Sequence, residues 1–94
     1  MSNAKHLNIM LLGNVQGVFM RRTIAHKARQ LGIFGFVRNE PDTTVYIEAE
    51  GDSAKLDLFF AWLKSGAGEG LHTVKEVEVN EGQYKAFEEF KVSE

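Results

Sequence analysis

Within His6–Leu12 the residues Leu7, Ile9 and Leu11 share one face of an alternating pattern, the period of two that a half-buried strand requires. The period then changes. Ile24, Ala28 and Leu31 recur at i, i+4 and i+7 while Arg22, His26, Lys27, Arg29 and Gln30 lie elsewhere, which predicts an amphipathic helix stopped by Gly32. Ile33 to Asn39 is rich in aromatic and branched residues, and Glu40-Pro41-Asp42-Thr43-Thr44 carries turn chemistry at its Pro-Asp step. In Val45 to Gly51, Val45, Ile47 and Ala49 alternate with Tyr46, Glu48 and Glu50, so the segment reads as a hairpin. Asp52 or Ser53 is placed to cap a second helix with a stripe of Leu56, Phe59, Phe60 and Leu63. Gly66, Gly68 and Gly70 end it in the loop expected to be the most mobile. Val77 and Val79 alternate with Glu76, Glu78 and Asn80, and Phe90 and Val92 with Glu89 and Lys91, predicting one more strand and a short terminal one at an exposed edge.

The predicted order is βαββαβ with a final edge strand. Two helices against one face of an antiparallel sheet make an α+β, ferredoxin-like sandwich. That architecture hosts many unrelated activities, so function has to be argued from individual residues.

The length of 94 residues and a hydrophobic content of 44% suit one domain, expected over residues 5–94. Ser2-Asn3-Ala4 resembles a remnant of expression cloning and is assigned no function. Cysteine is absent, which excludes disulfides and thiolate metal sites and makes the cytoplasm the default compartment. Apolar runs are short and interrupted by charge, so neither a membrane span nor a signal peptide is expected. His6, His26 and His72 are scattered, with no carboxylate or second histidine at ligand spacing, and no metal site is expected. Glu88-Glu89 reads as a solvated strand end, and Phe34, Phe36, Tyr46, Phe59, Phe60 and Trp62 as core or rim packing.

Charge is distributed unevenly. Met1 to Asn39 holds six Lys and Arg residues and no Asp or Glu, whereas the remainder holds 13 acids against 5 lysines. Such a bias suits an anionic partner, although residues close in sequence also scatter over a folded surface.

The candidate chemistry lies in Gly13-Asn14-Val15-Gln16-Gly17-Val18-Phe19-Met20-Arg21-Arg22, between the first strand and the first helix. Glycines permit turn geometry, successive N–H groups of a turn make an anion-binding concavity, and the helix start adds its positive dipole end. Arg21 stands where that helix begins, with a planar fork suited to two phosphate oxygens. An arginine there opposes the helix dipole, a local conflict that a bound anion resolves.

Gly13 to Arg21 resembles the phosphate-loop signature of the acylphosphatases. Gly35-Phe36-Val37-Arg38-Asn39, followed by Val45 and by Gly51 closing the hairpin, resembles their second signature. The resemblance covers essentially the whole chain. It implies hydrolysis of the carboxyl-phosphate anhydride of small acyl phosphates, giving a carboxylate and inorganic phosphate without metal or cofactor; separately, a monomer is expected, a state open to this fold. It further implies that Arg21 binds the phosphoryl oxygens, that backbone N–H groups over Gln16, Gly17, Val18, Phe19 and Met20 complete the cradle, and that the Asn39 amide orients the attacking water. Two positions depart from the family pattern. Thr43 or Thr44 stands where Gly is usual, which suggests a turn compatible with branched residues. Asn14 stands where a basic residue is common, which suggests weaker substrate binding.

The Gln16 side chain is open to two readings, contact with substrate or bracing of the loop. Two other functions compete with the enzyme. One is a noncatalytic anion-binding domain resembling the N-terminal domain of hydrogenase maturation factors, although those are long multidomain chains. The other is an RNA-binding module, because Phe34-Gly35-Phe36-Val37 matches the middle of the aromatic signature of the RNA recognition motif. Against the latter, the leading basic residue and Gly are replaced by Gly32 and Ile33, the final aromatic is Asn39, and the segment falls on the second strand instead of the third. No nucleic-acid partner is expected.

Overall fold

The computed structural model describes residues 3–17, 19–67 and 73–93. Its elements run β1 (Ala4–Asn14), α1 (Met20–Gln30), β2 (Phe34–Asn39), β3 (Val45–Asp52), α2 (Ser53–Lys64), β4 (Thr73–Gly82) and β5 (Phe90–Val92). The sheet order is β4-β1-β3-β2-β5. Every pairing is antiparallel except that of β5 with β2. Both helices lie on one face, α1 against β2 and β5, α2 against β3 and β4. This is the expected ferredoxin-like sandwich with one parallel pair at its edge. Among the described residues no helix is long and apolar enough to cross a membrane.

The alternating residues meet the helices in one core: Ile9, Leu11, Val37, Val45, Ile47 and Ala49 from the sheet, Met20, Ile24, Ala25 and Ala28 from α1, and Leu56, Phe59 and Leu63 from α2. Leu31 caps α1 instead of continuing it, and Gly32 follows with φ +71°. The stripe of α2 is narrower than its spacing suggests, because Phe60 is only half-buried. Asp52 occupies the N-cap position of α2, yet its side chain makes no capping bond. The N-terminal segment takes over part of that role, since Ser53 N–H donates to the Asn3 carbonyl at 3.0 Å. Gly68, Gly70 and His72 lie outside the described residues.

The second face of the sheet departs from expectation. Tyr46, Glu48 and Glu50 have the spacing of a solvent face, but Glu48 and Glu50 are buried, as is His6. The cause is the connection from β4 to β5, which joins opposite edges of the sheet. Four inter-strand spacings of about 4.8 Å make about 19 Å, and the eight residue steps from Gly82 to Phe90 span about 26 Å when extended. The crossing therefore runs nearly straight over β1, β3 and β2 and roofs them. Phe87 stacks on His6 with centroids 6.0 Å apart and meets Phe36 edge-on at 5.9 Å.

Beneath this roof His6 joins a polar cluster, while His26 is exposed on α1. His6 Nδ1 donates to Glu50 Oε2 at 2.7 Å, Phe87 N–H donates to Glu50 Oε1 at 2.8 Å, and Lys85 N–H also donates to Glu50. Tyr46 OH donates to Glu48 at 2.7 Å, and Lys85 Nζ donates to the same carboxylate at 2.8 Å. Burial pushes the Glu50 carboxyl up, but the Lys85 and Phe87 N–H groups and His6 outweigh it and hold its pKa below 4.5. Glu48 shows the same balance, with Lys85 and Tyr46 opposing burial. Burial, reinforced by Glu48, raises Tyr46 to about 12. Among the described residues no group of three or more His, Cys, Asp or Glu could hold a metal ion.

Close approach of backbones fixes Gly35, where a Cβ would lie 1.8 Å from the Glu48 carbonyl oxygen. The hairpin turn contradicts the expectation of a geometry suited to branched residues, because Thr43 adopts φ +75°. Surrounding bonds impose that conformation. Glu40 N–H donates to the Thr44 carbonyl at 2.9 Å, Thr43 N–H to the Glu40 carbonyl at 3.2 Å, and Thr44 N–H to Asp42 Oδ1 at 3.1 Å. A β-branched residue in the left-handed region is strained.

Thr43→Gly is expected to raise stability by about 1 kcal/mol, the relieved strain exceeding the added unfolded-state entropy. An unchanged or lower urea midpoint contradicts this. The lowered pKa values of Glu48 and Glu50 imply stability that is present above pH 4.5 and lost as pH falls through their folded-state values. Urea midpoints followed by Trp62 fluorescence should therefore drop below that pH. Glu50→Gln should lose about 3 kcal/mol at pH 7 and show a shallower acid slope, since its amide places N–H groups against the donors that Glu50 accepts.

Candidate active site

Topology brings four chain segments to one end of the sheet. β1 and β2 both finish there, α1 begins there, and β5, parallel to β2, leads to Ser93 at the same end. The phosphate-loop candidate starts where the β1–β4 register shifts between Leu12 and Gly13. Gly13 takes φ +129° at this irregularity, and the strand ends one residue later at Asn14. Val15, at 0% exposure, and Met20, at 1%, then anchor the loop in the core on either side of residues 16–19. Phe19 is the N-cap of α1 and makes no side-chain capping bond, no acidic residue lies in the first turn, and its ring is exposed. Val18 lies outside the described residues.

Arg21 leaves the first turn of α1 half-buried, and its Nη1 donates to the Ser93 carbonyl at 2.7 Å. Ser93 N–H in turn donates to the Val37 carbonyl at 2.8 Å. Val37 and Asn39 lie two apart on β2 and so project to the same side of the sheet, the side of the helices. One residue of the terminal segment thus ties the arginine to the strand that carries the asparagine. Arg29 secures the same segment, donating from Nε and Nη2 to the Phe90 carbonyl at 3.1 and 2.8 Å. Among the described residues, two buried side-chain polar atoms have no hydrogen-bond partner, and they are Arg21 Nε and Asn39 Oδ1.

The Gln16 side chain turns away from a ligand role. Its Nε2 donates to the Glu40 and Thr44 carbonyls, both at 2.8 Å. The remaining cations of the basic half are partly engaged elsewhere: Arg38 Nη2 lies 3.1 Å from Glu40 Oε1, and its guanidinium rests over Tyr46 at 4.9 Å. Glu88 and Glu89 are exposed, as expected of a solvated strand end.

Sequence reasoning missed Ser93 because its contribution is a main-chain carbonyl, which leaves no trace in side-chain chemistry. It also missed the cluster under the roof, since His6 and Glu50 are 44 residues apart. The aromatic signature shared with RNA-binding modules is not a free platform, because Phe36 packs on Tyr46 and Phe87 beneath the crossing segment.

The chain is similar to known proteins over nearly its whole length. A family model described as Acylphosphatase matches residues 7–92. An acylphosphatase of Archaeoglobus fulgidus is 45% identical over 87 residues, covering 93% of this chain and 96% of the relative. The solved structure of an acylphosphatase from Coxiella burnetii superposes with a TM-score of 0.89 at 27% identity, covering 97% of this chain and 94% of that one. Full-length HypF in its phosphate- and nucleotide-bound form superposes with a TM-score of 0.87 at 25% identity, with 100% of this chain matching 12% of that protein. The family match spans the loop, α1, the hairpin and β5, stopping one residue short of the Ser93 carbonyl that receives Arg21, and the chain belongs to the acylphosphatase family.

Proposed function

We propose that this protein hydrolyses small acyl phosphates, with Arg21 holding the phosphoryl group, backbone N–H groups of residues 16–20 completing the cradle, and Asn39 orienting the attacking water. The observation that carries this reading is the pair of unpartnered buried atoms, a donor at Arg21 Nε and an acceptor at Asn39 Oδ1. Leaving a buried polar atom without a partner costs about 1–3 kcal/mol, so each has a reason to take a ligand. A phosphoryl oxygen accepts from the first, and a water donates to the second. The bond from Arg21 Nη1 to Ser93 fixes one arm of the guanidinium and leaves Nε without a partner.

The chemistry asks little more of the protein. The water oxygen bonds to phosphorus, the bond from phosphorus to the acyl oxygen breaks, the carboxylate leaves without needing a proton, and both water protons end on the phosphate product. Phosphoryl transfer of this kind depends mainly on positioning and on stabilising charge over the equatorial oxygens. A strong general base is dispensable, and no metal is expected to take part. The protein is proposed to act in the cytoplasm, in keeping with its lack of cysteine, and as a monomer. Exposed Lys75, Glu76, Glu78 and Glu81 on the β4 edge oppose strand-to-strand association. A stable dimer in equilibrium sedimentation contradicts the latter.

Loss of benzoyl phosphate absorbance in chelator-containing buffer tests the function. Wild type should turn over, while Arg21→Ala and Asn39→Ala, checked for folding, should each lose roughly a hundredfold to a thousandfold in rate. Arg21→Lys should also fail, because a point charge cannot reproduce the fork. A folded wild type that binds phosphate yet is inert overturns the enzyme in favour of a noncatalytic anion-binding domain.

A further inference from the structure

We infer that the Gln16 side-chain amide is a positioning group for Asn39, locking the phosphate loop to the hairpin turn that begins immediately after it. This rests on the reading of Asn39 as the group that orients water. An amide nitrogen carries two donors. Both are engaged, one by the Glu40 carbonyl and one by the Thr44 carbonyl, each at 2.8 Å. Those two residues are the first beyond the Asn39–Val45 pair, where β2 and β3 lie in register. Gln16 therefore grips both strands of the hairpin one residue past the asparagine.

The grip is anchored at both ends. Val15, the preceding residue, is fully buried, so the base of the Gln16 side chain is fixed in the core. At the other end the turn is closed by Glu40 N–H to the Thr44 carbonyl at 2.9 Å and contains Thr43 at φ +75°. A turn that stores strain needs outside contacts to hold its shape. Asn39 is the last residue of β2, paired with Val45, and the turn follows it directly. A displacement of about 1 Å in such a group costs on the order of a hundredfold in rate. Glutamine alone among its near-isosteres makes both bonds at this reach. Glutamate has the same shape but sets carboxylate lone pairs against two carbonyl oxygens, methionine fills the space without donors, and asparagine keeps the donors on a shorter stem.

The test compares kcat for benzoyl phosphate and the inhibition constant of inorganic phosphate in wild type, Gln16→Met, Gln16→Glu, Asn39→Ala and the double variant Gln16→Met/Asn39→Ala. Gln16→Met should lower kcat about tenfold or more while the phosphate inhibition constant moves less than about threefold, and Gln16→Glu should be no better. In the Asn39→Ala background the same change should cost less than about twofold, because the clamp acts through the missing side chain. An equal loss in both backgrounds assigns Gln16 to general loop stability and overturns the inference. A phosphate inhibition constant that rises in step with the fall in kcat assigns it to phosphate binding, and an unchanged kcat removes any role; either outcome overturns it too. Should Gln16→Met not fold, Gln16→Asn is read by the same criteria. An inert wild type overturns the enzyme reading itself, an outcome distinct from an active wild type with an unaffected Gln16→Met.

Discussion

Glu50, on the middle strand β3, accepts from the His6 ring and from the N–H groups of Lys85 and Phe87 while fully buried. A carboxylate in that position is tolerable only because its donors compensate for the loss of water. They belong to strand β1 and to the segment that crosses the sheet, so the cost of burying Glu50 is offset only when the crossing is in place. The crossing delivers β5 to the far edge beside β2, and β5 delivers the Ser93 carbonyl to Arg21. A bond near the opposite end of β3 from the loop thus determines whether the arginine is held.

The site is assembled by main-chain carbonyls as much as by side chains. Ser93 receives Arg21, Phe90 receives Arg29, and Glu40 and Thr44 receive Gln16. Carbonyl oxygens of strands and closed turns cannot rotate away or change protonation, which makes them rigid acceptors for the long cationic and amide side chains that shape the loop. The side chains left with open valences, Arg21 at Nε and Asn39 at Oδ1, are the ones assigned to the reacting groups. Pre-set donors and acceptors of this kind need no reorganisation when charge develops.

Much of this was legible in the chain. The strand and helix periods are strong because each element has one core-facing side, and Arg21 and Asn39 stand out by their distances from the glycine loop and from the hairpin. What escaped has a common origin. Alternation in Val45 to Gly51 distinguishes two faces without saying what covers each, so Glu48 and Glu50 read as solvent-facing although residues 83–89, which have no period, lie over them. Thr43 suggests a turn suited to branched residues, but the Glu40–Thr44 closure and the Gln16 clamp set the geometry and impose φ +75°. Ser93 acts through an atom that every residue possesses. Periodicity and side-chain type carry the architecture, whereas contacts between distant backbone segments do not register in either.

The parallel pairing of β5 with β2 has a consequence for the order of events during synthesis. Arg21 and Asn39 belong to the first two strands and the helix between them, yet the carbonyl that aims the arginine arrives with the last element of the fold, 72 residues later. A nascent chain released only through α2 carries both side chains on a three-stranded sheet that lacks both edge strands and its roof. Such long-range closure is slow relative to local structure. With Arg21 in its proposed role, substrate binding becomes a property of the completed fold, since the carbonyl that holds the arginine comes last.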